Sequence, residues 1–311
     1  MKVIIPVAGY GSRLRPHTFS TAKALLHVAG KPILSHVLAP IIALNPEEVV
    51  FVIGFRGDEI QEYVEQNFSF TSRFVRQDKL LGLGYAVSLG LSVIPDGPVL
   101  ILLGDTIVEV DLGKFAAAGD NVLGVREVPD PHRFGIAEIQ NNHILSLEEK
   151  PVNPKSNFAI VGLYYFHNSR KLRHALDEHV RSGVTNRGEV QFTDALEQLL
   201  LSGEKFTPFE IDSWHDCGKK ETVIETNRYL LDKLAPPTTY NGSTIIPPVF
   251  IAPGAIVTNC VLGPYVAISE GAVIQHSVVR NTIVGPDAQI QDAVLDNSLI
   301  GRNAVVRGTG R

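Results

Sequence analysis

Cysteine, tryptophan and methionine are scarce in this chain of 311 residues, which contains two, one and one of them. The two cysteines, Cys217 and Cys260, form neither a disulfide framework nor the paired spacing of a zinc site. No apolar run reaches the ~18 residues of a membrane span. Met1 and Lys2 lead straight into a short apolar segment and not into a signal sequence. We therefore expect a cytoplasmic protein that has no membrane partner.

An excess of positive charge is also missing. The 28 Lys and Arg against 33 Asp and Glu give a net charge of −5, which argues against nucleic acid as a partner. With 44% apolar and 20% charged residues, the chain can bury a proper core. Its length favours two domains.

Two well-known phosphate-binding patterns are absent from residues 6–23, which follow the apolar segment at 3–5. A P-loop would need a Lys-Ser or Lys-Thr pair after the sixth position from Gly9, and none follows. The dinucleotide fingerprint would need glycine at position 14, where the chain has Leu14. Both classes of nucleotide loop are excluded.

What residues 6–23 do contain still suits a phosphate. Gly9 and Gly11 allow a sharp turn that exposes backbone N–H groups. Ser12 adds a hydroxyl, Arg13 a fork of donors and Lys23 a point charge. The pattern predicts a phosphate-binding loop, although a glycine-rich turn after a strand is also a common structural feature.

Strands and helices alternate over residues 1–110, with strands predicted at 3–7, 49–53, 73–75 and 99–103 and helices at 32–44, 58–66 and 84–93. This order predicts a mostly parallel, Rossmann-like sheet whose strand ends face one ligand site. Residues 120–166 read as strands without intervening helices, which extend the sheet. Helices at 169–182 and 191–202, and another ending near 234, precede a linker at 235–239. We predict a catalytic domain over 1–235.

From Ile245 onward, apolar residues recur mostly every six positions, with small or β-branched residues four further on, among them Ala272, Val278 and Val294. This hexapeptide period predicts a left-handed parallel β-helix domain over 241–311, with about 18 residues per coil. Short sandwich strands, the alternative, would show a period of two. Such a module suits oligomerisation, so we expect a homo-oligomer.

Two aspartates follow predicted strands. Asp105 ends the apolar run at 99–103, and Asp216 stands in the segment 214–218. Carboxylates from distant segments can share one Mg²⁺ over a triphosphate. A turn-capping role for Asp105 is an equally simple explanation.

Two further segments carry groups that suit a nucleotide sugar. Gln77 can pair with a pyrimidine edge, and Gly82 would let backbone approach a base, unless this is only a glycine-rich loop. Glu149 and Lys150 could clamp a sugar and its phosphate, unless they form a solvated strand end.

Taken together and in order, these segments closely resemble the sugar-1-phosphate nucleotidyltransferases, and most of all the long form of glucose-1-phosphate thymidylyltransferase. The likeness covers essentially the whole chain. Its motifs are at 9–16, Lys23, 31–34, Gln77 with Gly82, 104–105, 130–135, 148–151, 161–164, 187–189, 193–194 and 214–219.

The resemblance implies a role for each matching residue. The triphosphate would contact Ala8, Gly9, Gly11, Ser12 and Arg13. Arg13 and Lys23 would neutralise the departing pyrophosphate, while Gln77 and Gly82 would contact the base. The hexose would contact Gly135, Glu149 and Val161, and Lys150 would bind its phosphate. Asp105 and Asp216 would hold Mg²⁺. The catalytic set implied is Arg13, Lys23, Asp105, Lys150 and Asp216.

The implied reaction joins glucose-1-phosphate and dTTP into dTDP-glucose and pyrophosphate, by in-line attack on the α-phosphorus. The nucleophile is already an anion, so alignment and charge neutralisation suffice. Ala22 stands where proline is usual and Cys217 where threonine is usual. Residues 6–9 and 82–84 look more like UDP-glucose uridylyltransferases.

Three alternatives follow from these departures. One is a UTP-dependent uridylyltransferase that makes UDP-glucose or UDP-GlcNAc, since thymidine and uridine differ by one methyl group. Another is a non-catalytic regulatory relative, which predicts loss of Arg13, Lys23, Asp105 or Asp216, and all four are present. The third, an acyltransferase activity of the β-helix, is disfavoured because His276 is the single histidine of the repeats.

Overall fold

The computed structural model describes residues 1–183, 185, 188–234 and 242–308. The predicted linker at 235–239 and residue Arg187 of the 187–189 motif lie outside them, as does the predicted domain boundary between 235 and 241. Within the described part of the chain, no helix is long and apolar enough to cross a membrane.

Helices and strands occur in the following order along the chain. The helices are α1 (His17–Ser20), α2 (Ile33–Ala43), α3 (Gly57–Asn67), α4 (Leu83–Ser92), α5 (Leu112–Ala117), α6 (Arg170–Ser182), α7 (Phe192–Leu201) and α8 (Lys220–Leu231). The first strands are β1 (Lys2–Pro6), β2 (His27–Val28), β3 (Lys31–Pro32), β4 (Glu48–Ile53), β5 (Ser72–Arg76), β6 (Val99–Leu102), β7 (Thr106–Glu109), β8 (Asn121–Glu127), β9 (Gly135–Gln140), β10 (His143–Glu149), β11 (Phe158–Phe166), β12 (Thr207–Glu210) and β13 (Ser213–Asp216). The later strands are β14 (Thr244–Ile245), β15 (Val249–Ile251), β16 (Ile256–Thr258), β17 (Val261–Leu262), β18 (Val266–Ile268), β19 (Val273–Gln275), β20 (Val278–Arg280), β21 (Thr282–Val284), β22 (Gln289–Gln291), β23 (Val294–Asp296), β24 (Leu299–Ile300) and β25 (Val305–Arg307).

Contacts between Cα atoms divide the chain into two compact units. The sheet unit comprises Met1–Gly9 and Val37–Trp214, and the β-helix unit comprises Tyr10–His36 and His215–Arg311. The loop segment 10–36 therefore belongs by its contacts to the β-helix unit, although it follows the first strand of the sheet.

The sheet unit is built on a nine-stranded mixed sheet, along which the order β10-β9-β11-β6-β1-β4-β5 runs. Strands β6, β1, β4 and β5 are parallel, while β11, β9 and β10 pair antiparallel. Of the central strands, β6 is wholly apolar and β4 is apolar apart from Glu48, because both faces of these strands are buried. Helices α4, α6 and α7 pack on one side of a core that includes Ile4, Val52, Leu91 and Phe192. The predicted fold class is confirmed.

The β-helix unit carries three sheets of four parallel strands each: β14-β17-β20-β23, β15-β18-β21-β24 and β16-β19-β22-β25. Going from one coil to the next, Val249 pairs with Val266, and Val266 pairs with Thr282. The predicted parallel β-helix is present, but these pairings make each coil slightly shorter than three full hexapeptides. The occasional steps of five in the repeat account for the difference.

Left-handed backbone at the corners lets each coil close. Non-glycine residues with positive φ recur at the same corner of successive coils, as at Asn259 (54°), His276 (48°) and Asp292 (52°). Asparagine and aspartate tolerate this region better than most side chains. The corners thus explain why Asn, Asp and Gly alternate with apolar pairs in the repeat.

The small or β-branched residues of the repeat form one class in the sequence, but they occupy two environments in the structure. Ala272 is buried, whereas Val278 and Val294 are exposed. Val279 points inward, and because side chains alternate along a strand, its neighbour Val278 must point outward. The sequence period therefore located the strands without giving the face on which each of these residues lies.

A short hairpin closes the loop segment 10–36. Strands β2 and β3 pair antiparallel around Ala29 and Gly30, whose φ angles of 46° and 84° are both positive. Within the β-helix unit, the Ala29 N–H donates to Asn227 Oδ1 of α8 at 2.8 Å, and His27 Nδ1 lies 2.9 Å from Ser269 Oγ.

His27 is partly buried at this contact, and its titration makes the stability of the protein sensitive to acid. Burial lowers the pKa of His27 from 6.5 to about 4, with the charges of Arg302 and His36 adding to the effect. The folded chain then binds fewer protons than the unfolded chain between these pH values, so stability present above pH 6.5 is lost as the pH falls towards 4. The shift corresponds to roughly 3 kcal/mol.

We expect His27→Asn, whose amide can replace Nδ1 opposite Ser269, to lose less stability over this pH range than the wild-type protein. Urea unfolding at pH 6.5 and pH 4 measures the difference. If the free energy of unfolding falls equally in the two proteins, His27 does not contribute to the acid sensitivity.

Candidate active site

In the β-helix unit, Gly11 sets the shape of the predicted phosphate loop. Its φ of 60° is left-handed, and a Cβ there would stand 2.9 Å from Thr18 Cγ2 and 3.1 Å from Lys23 Cβ. Thr18 Oγ1 donates to the Gly11 carbonyl at 2.9 Å. The loop is thus held against the base of Lys23, and a residue larger than glycine would push the two apart.

Arg13 lies beside Asp216 within the same unit. Arg13 follows Gly11 in a single 3₁₀ turn, Ser12–Leu14, that is anchored by the buried Leu14. The point where a Cβ on Gly218 would stand is 2.8 Å from Asp216 Oδ1 and 3.3 Å from Arg13 Nη2. Two motifs far apart in the sequence thereby bring the guanidinium of Arg13 and the carboxylate of Asp216 close together. This combination of charges suits a phosphate with a bound cation.

Gly218 was part of a motif in the sequence but had no assigned role there. We expect Gly218→Ala to displace Asp216 and Arg13 because the new methyl group meets the ends of both side chains. These ends are flexible, so the fold should persist while kcat/KM falls about 10²-fold, as small misplacements in a site cause. Steady-state kinetics together with thermal unfolding test this, and unchanged kinetics would contradict it.

In the sheet unit, Asp105 follows a glycine that no other residue could replace. A Cβ on Gly104 would stand 2.1 Å from Val7 Cγ1 and 3.1 Å from the carbonyl oxygen of Pro6. The Gly104 N–H donates to that carbonyl at 3.2 Å. Asp105 therefore lies at the carboxyl end of β6, next to the carboxyl end of β1, where Ala8 and Gly9 begin the loop. This is the sheet edge at which parallel sheets bind ligands.

The predicted base-contacting pair is joined by a hydrogen bond. Gln77 Nε2 donates to the Gly82 carbonyl at 3.4 Å, and Gln77 is only 4% exposed. Gly82 has a φ of 104° and packs so closely on Val190 that a Cβ would meet its carbonyl oxygen at 2.8 Å. The structure brings these two residues together on a fixed turn.

The predicted sugar residues also meet in the sheet unit. Gly135 pairs with Glu149 across β9 and β10, and Lys150 Nζ lies 2.8 Å from Glu149 Oε1. The side chain of Glu149 is 10% exposed and that of Lys150 38% exposed. Glu149 and Lys150 line a cleft of about 400 Å³ together with Asp194 and Glu197.

Thr193 belongs to this group, although the sequence reasoning did not assign it to the site. Its Oγ1 donates to Glu149 Oε2 at 2.8 Å, and both atoms lie within 3.1 Å of the position of a Cβ on Gly135. Its place in the 193–194 motif was the available signal. The bond orients the Glu149 carboxylate toward a position that only glycine leaves open.

Val161 is placed differently from the other predicted sugar contacts. It is 1% exposed, and its Cγ2 packs within 2.8 Å of where a Cβ on Gly124 would stand. A hexose would therefore meet its backbone and not its side chain. Nearby, burial raises the pKa of Tyr164, and the charge of Glu149 adds to the rise.

The model of the family described as "Nucleotidyl transferase" matches residues 2–233. The chain belongs to this nucleotidyl transferase family. A second model, described as "GlmU-like, C-terminal hexapeptide", matches residues 235–309. The first of these ranges includes every residue that the sequence predicted for the site.

Curated proteins of several kinds are similar to the chain. A glucose-1-phosphate thymidylyltransferase from Streptomyces griseus is 32% identical over 91% of this chain and 87% of its own length. A bifunctional protein GlmU from Methanocaldococcus jannaschii is 32% identical over 88% of this chain, which spans 61% of that protein.

Solved structures show the same fold. A Bacillus anthracis structure described as a putative glucose-1-phosphate thymidylyltransferase, in complex with a sucrose, matches with a TM-score of 0.64 and 28% identity, over 76% of this chain and 98% of that one. A UDP-glucose pyrophosphorylase complexed with UDP-glucose matches with a TM-score of 0.66 and 21% identity, over 75% and 99%. The latter identity supports the fold alone.

Proposed function

We propose that the protein is a glucose-1-phosphate thymidylyltransferase that joins glucose-1-phosphate and dTTP into dTDP-glucose, with release of pyrophosphate. The arrangement of Arg13 and Asp216 around Gly218 carries the proposal, because it combines a phosphate donor group with a metal-type carboxylate. The relative from Streptomyces griseus, matched along most of its length, supports the choice of substrates.

The chain's own residues supply alignment and charge. Gly9, Gly11 and Ser12 bind the triphosphate, and Arg13 with Lys23 neutralises the charge that develops on the departing pyrophosphate. Glu149, fixed by Thr193, holds the hexose, while Lys150 binds the phosphate whose oxygen attacks the α-phosphorus. The attacking oxygen is an anion from the start, so no residue has to remove a proton.

Asp105 and Asp216 are the proposed magnesium ligands. Among the described residues, no group of three or more His, Cys, Asp or Glu side chains is placed to hold a metal ion. A pair of carboxylates fits Mg²⁺, which in phosphoryl enzymes takes its other ligands from substrate phosphates and water. The ion would supply charge neutralisation at the phosphates.

A UTP-dependent uridylyltransferase is the second candidate. The segments 6–9 and 82–84, which resemble UDP-glucose uridylyltransferases, favour it. Gln77, fixed on Gly82, could pair with the same edge of either pyrimidine. For both candidates we propose a homo-oligomer and a division into domains at 1–235 and 241–311.

Pyrophosphate release with a panel of triphosphates and hexose-1-phosphates, each with and without Mg²⁺, tests the proposal. We expect the highest kcat/KM for dTTP with glucose-1-phosphate and no turnover without the ion. A preference for UTP would select the second candidate, and no turnover with any pair would exclude both. Light scattering measures the oligomeric state.

A further inference from the structure

One side of the β-helix differs from the other two in how far its outward side chains are exposed to water. On strands β15, β18, β21 and β24, which we call the covered face, the outward residues Ala267, Ile283 and Leu299 are 2%, 1% and 9% exposed. Outward residues on the other two sides, such as Ile256 and Val294, are 55% and 81% exposed. Other residues of the same unit therefore shield the covered face from water.

The hairpin of the loop segment 10–36 shields one part of the covered face. Gly30 lies against the outward ring of Phe250, so closely that a Cβ would stand 2.1 Å from Cε1 of the ring. Ala29 packs with Ala267 and with Leu231 of α8. Neither Gly30 nor Ala29 has room beside it for a larger side chain. Residues from the C-terminal part of the chain therefore fix the position of the hairpin.

The earlier part of the same segment lies against another part of the covered face, on which α8 also packs. His17, Thr21, Leu25 and Leu26 line one small cavity together with covered-face residues, among them Ile283 and Leu299. A Cβ on Gly301 would stand 3.3 Å from His17 Nδ1. In sequence, Lys23 lies between Thr21 and Leu25. Gly11 packs closely on Lys23 and Thr18, and its carbonyl accepts a hydrogen bond from Thr18 Oγ1.

We propose that the covered face of the β-helix positions the loop that binds the triphosphate, with Ile283 and Phe250 as positioning residues for Arg13 and Lys23. The proposal rests on the function proposed above for those two side chains. The mechanism is geometric: if the support moves, the loop shifts, and shifts of about 1 Å in a site can cost about 10²-fold in rate. The β-helix then contributes to binding of the nucleotide and not only to assembly.

The chain provides a matched pair of isoleucines for the test. Ile283→Ala and Ile256→Ala remove the same atoms from outward positions of the same β-helix, one covered and one exposed. We expect Ile283→Ala to lower kcat/KM for dTTP at least about tenfold while the KM for glucose-1-phosphate changes less than about twofold. Ile283→Val, which is a smaller truncation, should keep most of the wild-type kcat/KM for dTTP. Ile256→Ala should match the wild-type protein.

Hydrogen exchange provides a readout that does not depend on turnover. We expect faster exchange in residues 11–28 of Ile283→Ala and no change there in Ile256→Ala. If Ile283→Ala does not fold, the same comparison is made with Phe250→Leu, which removes the ring that packs on Gly30. If the wild-type protein shows no turnover, the proposed function fails, while faster exchange in the variant still supports the positioning role. Equal exchange in both variants, or equal changes in the KM of both substrates, would overturn that role.

Discussion

Replacing Arg13 with glutamine is expected to lower kcat for pyrophosphate release about a thousandfold. Arg13 stands in the anchored turn after Gly11 and extends toward Asp216 and Gly218. Its guanidinium carries a positive charge on a fork of donors, which would oppose the charge on the leaving pyrophosphate. Glutamine keeps much of the length of the side chain and some hydrogen bonding but removes the charge.

Arg307→Gln is the matched control for Arg13→Gln. Arg307 is exposed on β25, and its replacement changes the net charge of the protein by the same amount. We expect it to leave kcat and KM unchanged. Initial rates of pyrophosphate release, with unfolding curves for both variants, make the comparison. A similar loss in the two variants would mean that net charge and not the position of Arg13 matters.

Replacing Asp105 with asparagine is expected to lower activity at least about 10²-fold while nucleotide binding persists, since a carboxylate ligand of a catalytic cation supplies several kcal/mol at the transition state. Asparagine has nearly the same size and shape as aspartate, so the variant removes the charge of residue 105 with little change in volume. Asp216→Asn should act in the same direction.

Asp212→Asn provides the control, since Asp212 is an exposed aspartate close to Asp216 in sequence. The decisive measurement is activity against Mg²⁺ concentration, combined with calorimetric binding of dTTP without the ion. We expect a raised Mg²⁺ requirement for Asp105→Asn and unchanged values for Asp212→Asn. Undiminished activity of Asp105→Asn would refute the metal role.

Local patterns explain why much of the fold was predictable. The strands at 49–53 and 99–103 are continuous apolar runs because both of their faces are buried, and helices α2, α3 and α4 begin and end within two residues of their predicted limits. The hexapeptide period predicted the parallel β-helix for a similar reason: each coil repeats the same inward positions, so one chain contains many copies of one signal.

Contacts between distant residues explain what could not be predicted. The membership of the loop segment 10–36 in the β-helix unit depends on Phe250, Ser269 and Gly301, none of which carries a signal in sequence. Thr193 was missed for the same reason, because its bond to Glu149 spans 44 residues. The exposure of Val278 follows from the inward position of its neighbour Val279, which the hexapeptide period alone did not give.

The anchoring of the hairpin has a consequence for biosynthesis. His27 and Ser269 meet across 242 residues, so the hairpin leaves the ribosome long before its support exists. Synthesis proceeds at about 5–20 residues per second and N-terminal domains fold first, so the sheet can form seconds before the loop acquires its final anchor. A chain arrested before residue 250 would hold every proposed catalytic group and still lack the surface on which its hairpin rests.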